Sequence, residues 1–229
     1  MHSKSSPSPN SVTAVHWEPK DYGGKFFVYN RCILSLNTLK TKEIVFHRPR
    51  LPNRTLPPLL PGIERVFSDK ILGVTFTATL SPEQHINNII AICNQRLYLL
   101  SQLKQQNLSE QALDLIFHAV IIFKIIYALP AFAGHISTAE RNRINKFFRK
   151  AYRRHLVTQI FDIDTLIETN DSRLFRSITY PDHCLNYLLP SKCNYTTQLR
   201  PKGHNFTLLH IHTTLLKNSF INRCIFGIV

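Results

Sequence analysis

The spacing of apolar residues changes once along this chain, near Thr79, and that change limits the folds open to it. Before Thr79 the apolar residues fall in short β-prone runs broken by prolines; beyond it they recur every three or four positions, as on amphipathic helices. The pattern predicts an α+β chain, mainly α, in which a small β segment precedes a helical bundle. At 229 residues the chain is long enough to bury a substantial core.

The β-prone part is expected to hold strands at residues 26–29, 33–36 and 44–46. Pro49, Pro52, Pro57, Pro58 and Pro61 then form a stiff extended connector. Residues 66–67 and 71–76 read as further short strands, with Gly73 as a bulge or a point of close approach. Ahead of all these, residues 1–24 are rich in Ser, Pro, Asn and Gly and are expected to be disordered. The expected divisions are 1–24 disordered, 25–79 a β segment, 80–160 a three-helix bundle and 161–229 a partly irregular extension.

Three helix starts are written in the sequence. Ser81-Pro82-Glu83-Gln84 places serine at the N-cap, proline at the first helical position and glutamine where it can reach back. Ser109 opens a second helix, expected to run from residue 110 to 129 and to stop at Pro130. Ser137-Thr138-Ala139-Glu140 is a capping box for a third, to about Leu156. Asp164 is expected to cap a fourth, ending near Ile178, and a short helix is expected around residues 213–218. The apolar stretch 115–129 is interrupted by His118 and Lys124 and falls short of the roughly 20 residues of a membrane span. It reads as a buried helix central to the bundle, and no transmembrane segment is expected. No apolar leader occupies the first 25 residues, so the expected location is intracellular, cytoplasmic or nuclear, rather than secreted.

Charge narrows the partners. Twenty-eight bases against 14 acids give a net charge of +14, an excess that favours a polyanion over a small acidic substrate. The densest segment, 137–160, holds seven bases and one acid. At about 100° per residue, Arg143, Lys146, Lys150, Arg153 and Arg154 fall in one arc of the third helix. Ile144, Phe147, Phe148, Ala151 and His155 fall in the neighbouring arc. One face can be buried while the other offers cations to a phosphate backbone.

Familiar chemical motifs are absent from the sequence. It has no glycine-rich phosphate loop, no GxSxG and no HExxH. Five cysteines, none in a CxxC pair, argue against a disulfide scaffold. His183, Cys184, Cys193, His204, His210 and His212 match no common zinc spacing and read as core cysteines and surface histidines. Asp162 and Asp164 read as helix-start acids that complement the dipole, so no metal ligands are assigned.

Two short patterns carry more. Residues 34–46 read L-x-L-N-x-x-K-T-x-x-h-x-F, and residues 70–74 read K-x-L-G-V. In this order, ahead of an antiparallel helix pair and a basic helix, they resemble the end of the reverse-transcriptase region of non-LTR (LINE-like, jockey or CR1 type) retrotransposons. The resemblance implies that residues 25–79 are the end of a polymerase palm, with Lys40 near the phosphates of an incoming nucleotide. Lys70, Leu72, Gly73 and Val74 would form the primer-grip turn. Residues 81–156 would be the thumb, including Tyr127-Ala128-Leu129-Pro130 at the end of its second helix. Leu199-Arg200-Pro201 and residues 217–223 resemble the tail of such polymerases.

The departures concern catalysis. Polymerases of this class hold two magnesium ions on aspartates, two of which are adjacent, and this sequence contains no Asp-Asp. No fingers, endonuclease or RNase H segment is recognisable, and the chain reads as starting after the catalytic centre. The expectation is a truncated, inactive remnant of an RNA-directed DNA polymerase, with no catalytic residue and no cofactor of its own. It would bind RNA or DNA through the phosphate backbone. The alternatives are a protein that lays its basic amphipathic helix on an anionic membrane surface, and a purely structural domain.

Overall fold

The computed structural model describes residues 37, 39–47, 56–192, 205–208 and 210–227. The expected disordered start, the strands at 26–29 and 33–36, part of the L-x-L-N pattern, Cys193, His204 and the Leu199-Arg200-Pro201 tail lie outside them. Within the described residues the fold is mixed and mainly helical.

The chain divides into two units, one spanning Met1–Glu43 with Thr55–Val66, the other Ile44–Arg54 with Phe67–Val229. In the first, β1 (Lys42–Glu43) pairs in parallel with β2 (Glu64–Arg65). Arg65 fixes this pair: its Nε donates to Glu43 Oε2 at 2.7 Å, and its other nitrogens donate to the carbonyls of Pro57 and Pro58. The strand expected at 44–46 is therefore displaced to Lys42–Glu43. Its register is set by an ion pair across 22 residues, a link that local β propensity does not encode.

In the second unit, β3 (Ser68–Ile71) and β4 (Val74–Thr77) form an antiparallel hairpin. Leu72 and Gly73 join them with positive φ at both positions, +48° and +86°. This is the primed two-residue turn that suits strand twist, so Gly73 is a turn residue and not a bulge. The close approach does exist, because a Cβ at Gly73 would meet the Tyr127 ring at 3.3 Å.

Helix α1 (Glu83–Gln105) starts one residue later than the sequence suggests, with Pro82 at the cap position. The Thr77 hydroxyl accepts the Ser81 N–H at 3.0 Å, removing the donor that Gln84 would have reached. Ser109 caps α2 (Glu110–Phe117) as expected, accepting from Ala112 N. The continuous helix expected to residue 129 does not form. A π-helical turn (His118–Ile122) leads into α3 (Phe123–Ile126), and Tyr127 and left-handed Ala128 break the run. Pro130 then lies in the first turn of α4 (Leu129–Phe132), where a missing N–H costs nothing, so it starts a helix rather than ending one.

Helix α5 (Thr138–Arg153) opens with the full capping box: Ser137 Oγ accepts from Glu140 N, and Glu140 Oε2 accepts from Ser137 N at 2.7 Å. It closes three residues early. His155 turns left-handed, its N–H donates to Tyr152 O, and Leu156 N donates to Ala151 O, which satisfies the final carbonyls. Helix α6 (Ile163–Ile178) is capped by Asp162, not Asp164.

Two cores follow. The larger gathers Ile86, Leu97, Phe117, Ile121, Ile144 and Phe148 from α1, α2, the π-turn and α5. Ile163 and Ile167 of α6 are buried in it too, so a fourth helix joins the three expected. The smaller joins Phe175 and Ile178 to Phe206, Cys224 and Ile225, the last two from α8 (Phe220–Gly227). Ahead of it α7 (Thr214–Lys217) forms where a short helix was expected. Within its described residues the extension thus holds more helix than its composition suggests. Arg223 of α8 forms a two-pronged pair with Asp171 of α6, both contacts at 2.8 Å, and also donates to the carbonyls of Asn218 and Pro130.

The second helix is also less enclosed than expected. Leu115, Phe123 and Tyr127 are exposed while Phe117, Ile121 and Ile125 are buried. By length and composition the stretch Glu110–His135 is long and apolar enough to cross a membrane, extending beyond the apolar segment that ends at residue 129.

Candidate nucleic-acid interface

Helix α5 presents its bases as its periodicity requires. Ile144, Phe147, Phe148 and Ala151 are buried, which anchors the helix and leaves the neighbouring flank turned outward. Arg143, Lys146, Arg153 and Arg154 are exposed on that flank. None of them is in an ion pair with an acid among the described residues.

Lys150 differs. It is half-buried, and its Nζ donates to Asn94 Oδ1 of α1 at 3.2 Å. Its charge stays near the flank while its reach is spent on α1. Arg149, which the arc of five bases omits, is exposed and lies beside Arg153 on the helix; Arg153 Nε donates to Arg149 O at 3.4 Å. It falls just outside the arc drawn at 100° per residue, although its charge belongs to the same surface. Arg141 does not contribute, because it is paired with Asp164. His155, assigned to the apolar arc, is exposed, since the left-handed turn at its position swings it out of the helix.

The flank gains from the helix end. Lys104, in the last turn of α1, donates to Arg154 O at 2.9 Å, so two helix C-termini meet where Arg153 and Arg154 emerge. With cations at both C-terminal turns, the electrostatics there favour an anion held by side chains rather than by backbone donors.

The β3–β4 hairpin holds the other motif residues. Lys70 and Leu72 are exposed, Gly73 is half-buried and Val74 lies in the core. Tyr127 Oη donates to Leu72 O at 2.7 Å. Thus the K-x-L-G-V turn and the Tyr-Ala-Leu-Pro helix end, 55 residues apart, are neighbours. Behind the hairpin, buried His85 accepts from Thr75 N through Nδ1 at 3.3 Å, while its Nε2 has no partner. Burial first, then Lys124 and Lys70, lowers its pKa to about 4. Lys40 lies in the other unit, exposed in a turn where its N–H donates to Asn37 O.

Neither cysteine of the cores is poised for chemistry. Burial raises the Cys93 thiol to about 11 and the Cys224 thiol to about 12. Among the described residues no group of three or more His, Cys, Asp or Glu converges to hold a metal ion. Asp162 caps α6, and Asp164 and Asp171 are paired with Arg141 and Arg223. Comparisons with protein-family models, curated proteins and solved structures find no match.

Proposed function

We propose that this chain is a nucleic-acid-binding remnant of a non-LTR retrotransposon reverse transcriptase, thumb-like in its bundle and without catalysis of its own. The observation that carries the reading is the exposed flank of α5, where Arg143, Lys146, Arg149, Arg153 and Arg154 project without acidic partners among the described residues. Such a flank contacts phosphate and is indifferent to sequence. The contact between Tyr127 and Leu72 supports the resemblance, since it joins two of the motifs on which the resemblance rests.

Replacing Arg143, Lys146, Arg149 and Arg153 together by glutamine tests it. All four are exposed, so the thermal midpoint should hold. Duplex affinity should fall, and the slope of log K against log salt should flatten by up to ~0.9 for each phosphate of B-DNA that the variant no longer neutralises. An unchanged slope would remove α5 from the interface. Co-sedimentation with phosphatidylserine vesicles, abolished in the same variant while duplex binding persists, would favour the membrane-surface alternative.

A further inference from the structure

A groove between α1 and the α2–α3 run, bounded at one end by the β3–β4 turn, is not filled by the phosphate contacts proposed for α5. It contains two cavities of about 430 and 450 Å³, and Arg96 borders both. One end is aliphatic, walled by Leu99, Leu103, Ile116 and Val120. At the other end stand Leu72, Phe123 and Tyr127. Leu99 is 59% exposed, Phe123 63% and Leu72 86%, a concentration of uncovered apolar surface that a bundle of this size has no structural need to expose.

The π-turn shapes the groove. Its widened backbone lets the Val120 carbonyl accept from the Arg96 guanidinium, which holds Arg96 along the wall between the two cavities. Arg96 and Lys124 are the charged residues that line the cavities, both cations, and neither is in an ion pair with an acid among the described residues.

We propose that this groove docks an acidic amphipathic helix from a partner protein. Leucine, isoleucine and valine walls receive aliphatic side chains spaced one turn apart, which is how a helix seats in a groove. The two cations have no acid in the groove to answer them, so the acids belong to the occupant. A second copy of this chain is disfavoured, because two bodies of net charge +14 repel each other. A nucleic-acid strand would leave the aliphatic half without stacking partners or phosphate contacts.

The test uses the full chain and a fluorescent synthetic peptide of about 18 residues, with leucine every third or fourth position and glutamate on the flanks. A second peptide carries lysine in place of glutamate. The glutamate peptide should bind and the lysine peptide should not. Leu99→Asp should weaken binding about ten-fold or more, with circular dichroism and thermal midpoint retained because Leu99 is exposed. Lys124→Glu, which leaves Arg96 facing the new carboxylate, should remove most of the preference for the glutamate peptide. Equal affinity for both peptides, or binding that survives Leu99→Asp, would overturn the proposal. So would an absence of peptide binding alongside phosphatidylserine vesicle or oligothymidine binding that Leu99→Asp abolishes. The α5 glutamine variant should bind the peptide normally, which separates this inference from the nucleic-acid reading.

Discussion

His85 couples the bundle to pH. Its ring is buried edge-on to Phe132, with centroids 4.8 Å apart, and accepts a hydrogen bond that only a neutral imidazole can accept at that nitrogen. Burial, Lys124 and Lys70 lower its pKa from 6.5 to about 4. The folded state therefore resists a proton that the unfolded chain takes up readily. The stabilisation from this residue is complete above about pH 6.5 and declines as pH falls towards 4, a change of about 3 kcal/mol. Urea titrations between pH 7 and 4 should show this decline, and His85→Leu should flatten it. A decline of equal size in His85→Leu would assign it to other groups. Single residues are only partly legible in the sequence. Arg143 and Lys146 are, because a helix with a buried face fixes where each side chain points. The tether of Lys150 to Asn94 is not, since it spans two helices, and neither is the unpartnered nitrogen of His85.

Elements are legible where their signals are local. The caps at Ser109 and Ser137 lie within four residues of the N–H groups they satisfy, and both form where the sequence places them. Helix ends and strand positions depend on distant partners: Tyr127 breaks its helix while bonded to a hairpin 55 residues earlier. That hairpin carries a removable cost. Leu72 occupies a left-handed position that asparagine tolerates far better, so Leu72→Asn should raise stability by about 1 kcal/mol and increase the thermal midpoint. A lower midpoint would mean that Leu72 gives more through packing than it loses in backbone strain. The joint between α6 and α8 should respond in the opposite direction. Asp171→Ala leaves the Arg223 charge largely buried without its acid and should cost about 3–5 kcal/mol by chemical denaturation. Asp171→Leu combined with Arg223→Met should recover much of that loss. Gly134 belongs to the same joint, because a Cβ there would collide with the Asn218 carbonyl.

For the whole molecule, the division into a small β part and a dominant helical part is readable from periodicity alone. The parallel β1–β2 pairing and the burial of α6 in the main core are not, because each depends on contacts between distant segments. Without an Asp-Asp pair, purified protein should extend no primer above blank with magnesium or manganese. Reproducible extension abolished by Lys40→Ala would contradict the remnant reading. The joint at Arg223 also has a consequence for how the molecule is made. Arg223 follows Asp171 by 52 residues and Pro130 by 93. At ~5–20 residues per second, the ribosome releases α6 roughly 3–10 s before the cation that neutralises it. During that interval the nascent chain carries an unanswered carboxylate and bare apolar surface on α6. This is the span in which a chaperone, or a neighbouring nascent copy, can reach that surface before α8 does.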